Sequence, residues 1–170
     1  EAEFEDDLMG AEEAIERATG ARPRGFRGPG YSMFDHALKG LSRRGYLYDS
    51  STLPMLVGPL ARAYFFWMSS FSAQQRRERE LLFGSFRDGL RPLRPYRWNV
   101  GESHLLEIPL TTYPVLRMPF HPSYVLYMST FSPFLAQHYW RTALSMCRFN
   151  RVEPNLLLHP LDFMCKDDAP

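Results

Sequence analysis

The order of elements in the first fifty residues is what most constrains the fold. Phe4, Leu8, Ala11, Ile15 and Ala18 recur at three- and four-residue steps with Asp and Glu between them, and Gly20 follows as a stop. This is the pattern of an amphipathic helix with acid in its first turn, and its acidic face reads as solvated surface. Pro23 closes any helical option, Gly25-Phe26-Arg27 reads as a short strand and Gly28-Pro29-Gly30 as a turn. Ser32-Met33-Phe34-Asp35 has the form of a capping box, opening a helix through Leu38 and Leu41 that stops before Gly45. Tyr46 to Asp49 is a second strand with Ser50 and Ser51 at its tip. Helix, strand, helix, strand is an order that lays strands parallel with short connections, and it predicts an α/β fold.

That rhythm breaks over residues 55–90. An apolar, aromatic segment containing Tyr64, Phe65, Phe66 and Trp67 is followed by a charged run, Gln74 to Glu80, and then by Leu81, Leu82 and Phe86; this predicts a helical insertion. Arg91 to Tyr96 reads as a Pro-rich connector, and Leu105 to Leu110 as a third strand. The stretch from Thr112 to Tyr127, with Pro114, Pro119 and Pro122, reads as a long ordered loop. Phe134 to Phe149 has a helical period that puts Leu135, Tyr139, Ala143 and Met146 on one face, and Asn155 to Leu158 reads as a last strand.

A length of 170 residues, 45% hydrophobic and 23% charged, suits one domain spanning 1–170. The formal charge of +1 offers no field that would favour nucleic acid. Met55 to Phe71 is interrupted by Pro59 and Arg62, short of the roughly 20 clean residues of a membrane span. Cys147 and Cys165 have no Cys-x-x-Cys spacing; the first reads as a buried thiol and the second as an exposed one. The chain opens at Glu1 already inside a helical pattern, as an internal fragment or a processed product would.

Two sites have the residue types for chemistry. Arg27 ends a strand and precedes a turn, Gly28-Pro29-Gly30-Tyr31, whose backbone N–H groups are available to stabilise an oxyanion, while a fixed guanidinium can hold a carboxylate by a bidentate contact. The same residues also suit a surface ion pair. His159 ends the last strand and precedes Pro160, which turns the chain. Imidazole suits a general acid near neutrality, and a strand-end His equally suits a structural role. Asp162 stands where it would fix the imidazole tautomer or merely cap the turn. Asp49-Ser50-Ser51 and Glu107 put polar groups at strand tips, where they would cap turns or, for Glu107, pair with an Arg of the 91–97 connector.

Arg27-Gly28-Pro29-Gly30-Tyr31 and Leu157-Leu158-His159 resemble the Arg-x-Pro and Leu-x-His motifs of the polysaccharide deacetylase family, the NodB-type carbohydrate esterases. Gly30 stands where that family has an aromatic, with Tyr31 next. The resemblance implies the C-terminal part of a partial or distorted (β/α) barrel with the helical insertion, and metal-dependent de-N-acetylation of an N-acetylated sugar or polysaccharide. It implies that Arg27 orients the catalytic carboxylate, that Gly30 or Tyr31 supplies an oxyanion N–H, that Leu157 lines the acetyl pocket, and that His159 protonates the leaving amine. It also implies a divalent metal, zinc, contacts from Asp49, Ser50, Ser51 and Glu107 to sugar hydroxyls, and Tyr124 and Trp98 as candidates for stacking on a sugar ring. The family's Thr-Phe-Asp-Asp-Gly and His-x-x-x-His segments, which supply base and ligands, do not occur in the chain, so metal ligands are expected outside it. Two alternatives stand beside this reading. One is an allantoinase-like cyclic amide hydrolase, which implies a homo-oligomer with a closed pocket; the other is a non-catalytic module that binds carbohydrate or a partner.

Overall fold

The computed structural model describes residues 2–31, 33–56 and 89–164, and these residues form a mixed α/β structure in two compact units. The first unit covers Glu1–Thr52 and Pro95–Ile108, and the second Leu53–Arg94 and Pro109–Pro170. The expected helical insertion falls almost wholly on 57–88, outside the described residues, as do Ser32 and Cys165. No helix among the described residues is long and apolar enough to cross a membrane.

In the first unit, helix α1 (Ala2–Thr19) and helix α2 (Asp35–Arg43) accompany a four-stranded sheet of β1 (Gly25–Phe26), β2 (Tyr48–Asp49), β3 (Tyr96–Val100) and β4 (Ser103–Glu107). The strand order is β1-β2-β4-β3. β1, β2 and β4 run parallel, and β3 joins β4 antiparallel through the turn at Gly101 (φ +64°) and Glu102. The sheet is therefore mixed. Both helices and both short strands of the first fifty residues are found, but the second helix opens at Asp35 behind the N-cap Phe34, which makes no side-chain capping bond, not in the expected capping box, and β2 begins at Tyr48, not Tyr46. β3 was hidden: its Tyr-Arg-Trp-Asn-Val sequence begins at the last residue of the expected connector, and its alternating half-buried and exposed positions are those of an edge strand. β4 ends at Glu107, earlier than expected, because Pro109 cannot donate to a ladder.

Leu8, Leu38, Leu41, Tyr46 and Leu105 form the core of this unit, with Phe4, Phe26, Met33, Trp98 and Val100 packed around them. Gly25 lets the ring of its parallel partner Tyr48 lie over it: a Cβ there would meet that ring, which would have to swing away.

In the second unit, β5 (Thr112–Tyr113) and β6 (Met118–Pro119) form a small antiparallel hairpin, followed by helices α3 (Pro122–Phe131) and α4 (Pro133–Phe149). This corrects the expectation of a long loop over Thr112 to Tyr127. Its prolines sit where proline is tolerated: Pro114 opens the turn, Pro119 lies in a two-strand edge pair, and Pro122 takes the first position of α3 behind the N-cap His121. Phe120, Ala143, Cys147 and Val152 form the core, so Cys147 is the buried thiol its sequence suggests. The inward stripe of α4 is the expected one in part, since Tyr139 and Ala143 meet the core. Ala136, Ala143 and Cys147 are buried, whereas Leu135 is 56% exposed. Asn155 to Leu158 has no regular structure and is not a strand. It is tied by Thr111 N–H to the Asn155 carbonyl (3.0 Å) and Asn155 N–H to Thr111 Oγ1 (2.7 Å), and Pro154 precedes it.

One acid of α1 does not lie on solvated surface. Glu12 follows Leu8 by four residues, shares its inward face and is only 4% exposed. It accepts hydrogen bonds from Arg44 Nε (2.8 Å) and Nη2 and from Arg22 Nη2 (2.7 Å), fastening α1 to the end of α2. Arg44 above all, with Arg22, holds its carboxyl down at about 2 despite burial. The proton affinity is lower in the folded than in the unfolded chain, so this stabilisation is present above about pH 4.5 and is lost as pH falls toward 2. Glu12→Gln should lower stability at pH 7 by about 2 kcal/mol, with the gap to wild type closing in acid. Urea unfolding midpoints at pH 7 and pH 3 measure it; an unchanged midpoint at pH 7 would remove the clamp from the account.

Candidate functional site

The sheet register builds the first cluster. Phe26, Asp49, Glu107 and Tyr96 are successive partners across β1, β2, β4 and β3. Paired residues on adjacent strands lie about 5 Å apart on one face, so the carboxyl groups of Asp49 and Glu107 meet at the C-terminal tips of the parallel strands. Both residues are 0% exposed. Each carboxyl is supplied with donors: Asp49 accepts from Ser51 Oγ (2.7 Å) and Ser51 N–H (3.1 Å), and Glu107 from Thr52 N–H (3.0 Å) and Trp98 Nε1 (2.9 Å). Burial, followed by the hydrogen bond to Asp49 and its charge, pushes the Glu107 carboxyl up to about 8. A carboxyl in that position is a proton donor at neutral pH.

Arg27 stands one residue past β1. Its Nε donates to the Ser50 carbonyl (3.0 Å) and its Nη2 to Ser50 Oγ (3.0 Å), while Ser50 Oγ donates on to the Ile108 carbonyl (2.7 Å). Nη1 makes no hydrogen bond among the described residues. The turn behind Arg27 is pinned by Gly28 N–H donating to Ser51 Oγ (2.7 Å). Gly30 lies in a single 3-10 turn, Pro29–Tyr31, and Tyr31 closes it in the left-handed region at φ +61°, a conformation that non-glycine residues adopt at a cost.

His159, Leu157 and Asp162 belong to the second unit. The His159 side chain is 51% exposed. Its ring stacks on that of His121 (centroids 5.0 Å apart), and its Nδ1 lies 3.4 Å from Ser123 Oγ. Asp162 accepts from the His159 backbone N–H (2.7 Å) and from Ser123 Oγ, whereas the His159 ring nitrogen is 3.9 Å away. Those donors, Ser123 first, hold the Asp162 carboxyl below the usual range. Asp162 thus caps the turn Pro160–Phe163 and fixes the His159 backbone more directly than its ring. Leu157 is half-buried beside Leu156, which packs on the core.

Each unit therefore gathers half of the expected residues: Arg27, Gly30 and Tyr31 in the first, Leu157, His159 and Asp162 in the second. Asp49, Ser50, Ser51 and Glu107 are buried and so do not meet sugar hydroxyls. Glu107 takes Asp49, Thr52 and Trp98 as partners among the described residues, not an Arg of the connector. Trp98, a stacking candidate, spends its indole N–H on Glu107 and its ring on the core. Sequence reasoning missed the meeting of Asp49 with Glu107 and of His159 with Ser123 and His121; the one available signal was the placement of acids at two strand ends. No three His, Cys, Asp or Glu side chains among the described residues form a group able to hold a metal ion. Comparison with family models, curated proteins and solved structures found no match.

The buried pair makes stability depend on alkali. The folded chain keeps on Glu107 a proton that the unfolded chain releases near pH 4.5, so stability is full below that and lost as pH rises through about 8. Glu107→Gln, which keeps shape and a donor, should flatten the fall of the thermal midpoint between pH 5 and 9, and Glu107→Ala should lower the midpoint throughout. A wild-type midpoint that does not fall over this range would contradict the pairing.

Proposed function

We propose that this chain forms part of a polysaccharide deacetylase-like domain, a piece of a (β/α) barrel, and takes part in hydrolysis of the acetamide C–N bond of an N-acetylated sugar polymer. The observation that carries the reading is Arg27: an exposed guanidinium at the tip of parallel strands, with Nε and Nη2 spent on Ser50 and Nη1, which has no partner among the described residues, placed to take a carboxylate. In the second unit, His159 is a half-exposed imidazole held by a ring stack and a capped turn.

In this reaction a carboxylate oriented by Arg27 takes a proton from water as the water oxygen bonds to the amide carbon. By the resemblance, a backbone N–H of the turn at Gly30 or Tyr31 stabilises the oxyanion. His159 gives its proton to the departing nitrogen as the C–N bond breaks, leaving a free amine and acetate. Asp49 and Glu107 are not that carboxylate, because their oxygens are buried and already accept hydrogen bonds. The divalent metal, zinc, that the resemblance implies does not fit the described residues, which offer no ligand group, and no step is assigned to it.

A second reading, a non-catalytic sugar-binding module, is favoured by one observation. Tyr124, Tyr127 and Phe131 stand exposed at three- and four-residue spacing along α3, the arrangement of a stacking strip. Acetate release by the full-length protein from N-acetylglucosamine oligomers separates the two. The deacetylase reading expects release, reduced about 100-fold or more in His159→Ala with thermal unfolding unchanged. Oligomer binding without release would favour the module, and wild-type turnover in His159→Ala would refute the role of His159.

A further inference from the structure

The Asp49 and Glu107 carboxyls have no part in the reaction above, yet they are fully buried and joined to the Arg27 turn by a short chain of hydrogen bonds. The chain has a direction. Two carboxyls that hydrogen-bond to each other hold one proton between them, since neither anion can donate. Ser51 Oγ spends its proton on Asp49 Oδ1 (2.7 Å), which leaves the hydroxyl oxygen to accept, and the donor it accepts from is Gly28 N–H (2.7 Å). On the other side, Glu107 receives Thr52 N–H and Trp98 Nε1, so its own position is set by β3 and by the chain that follows Ser51.

We propose that Asp49 and Glu107 are positioning residues for the Arg27-Gly28-Pro29-Gly30 turn: their shared proton holds Ser51 in the orientation that captures Gly28, and loss of that proton releases the turn. The groups around Glu107 agree with this. β2 presents Asp49; β3 presents Trp98 and, through Thr52 Oγ1 at 3.2 Å, the Tyr96 hydroxyl; α2 brings the apolar Leu38 and Leu41 to the shared core; and the cation of the cluster, Arg27, is reached through Ser50. When the shared proton leaves, two buried carboxylates face each other, and separating them pulls on Ser51 and Thr52. The upward displacement of Glu107 by burial and by Asp49 places this event on the alkaline side of neutrality. The hold on the turn stands independently of the deacetylase reading; only its consequence for catalysis rests on it.

Amide hydrogen exchange of Gly28, corrected for the intrinsic pH dependence of exchange, reads the device without any activity. In the full-length protein the protection of Gly28 should fall about tenfold or more between pH 6 and pH 9. In Glu107→Gln, whose amide donates to Asp49 without titrating, protection should stay level. In Ser51→Ala it should be low at both pH values while the amides of α1 and α2 keep theirs. Gly28 protection that is level in wild type, or unchanged in Ser51→Ala, would overturn the proposal. Wild type and Ser51→Ala decide it even if Glu107→Gln fails to fold. Loss of acetate release with the exchange pattern intact would count against the enzyme reading alone.

Discussion

Two carboxyl groups placed side by side in a dry sheet are the constraint on which the first unit turns. The parallel register sets Asp49 opposite Glu107, and neither reaches water. A pair of buried anions at that spacing is far more costly than a carboxyl sharing its proton with a carboxylate. The neighbourhood is organised around that solution: Ser51, Thr52 and Trp98 each give a donor to one of the carboxyls, and Ser51 in turn receives Gly28. The position of Arg27 follows from the same local geometry, since Ser50, which grips its guanidinium, is the residue between Asp49 and Ser51.

The other buried acid of the unit shows the opposite response. Glu12 meets two guanidinium groups and is held ionised, while Glu107 meets a second acid and is held neutral. Two guanidinium groups outweigh burial at Glu12, whereas at Glu107 burial acts first and the neighbouring acid adds to it. Tyr46, which borders Glu12 and is buried with the core, is pushed up to about 12 by desolvation and by that anion. The second unit is built on apolar contacts and caps instead: Ser132 caps α4 through Leu135 N–H, His121 caps α3 through Ser123 N–H, and Asp162 ties the His159 turn to α3 through Ser123.

Local pattern made much of the fold legible. The helices of the first fifty residues and their two short strands follow from three- and four-residue periodicity and from glycine and proline stops. The edge strand β3 did not show itself, because Arg97 and Asn99 on its exposed face break the apolar run. Pro119 and Pro122 argued for a loop, yet each sits where a strand edge or a helix start accepts it. The site was legible only in parts. Arg27 and His159 are conspicuous as residue types beside turns, but the partners of each lie far along the chain: Ser50 for Arg27, Ser123 and His121 for His159. The meeting of Asp49 and Glu107 depends on strand register, which no spacing within either segment encodes. On α4 the period correctly marks Tyr139 and Ala143 as inward, but Leu135, an apolar residue at the exposed start of the helix, has the look of a core position without being one.

The central claim is that one carboxyl of the Asp49 and Glu107 pair remains protonated in the folded protein at neutral pH. Carbon-13 NMR of side-chain carboxyls, titrated from pH 4 to pH 10 with Glu107→Gln to assign the pair, observes it directly. The account predicts one carboxyl resonance that keeps its protonated shift through pH 7, moves near pH 8 and is absent from the variant. Full ionisation of both carboxyls by pH 6 would contradict it.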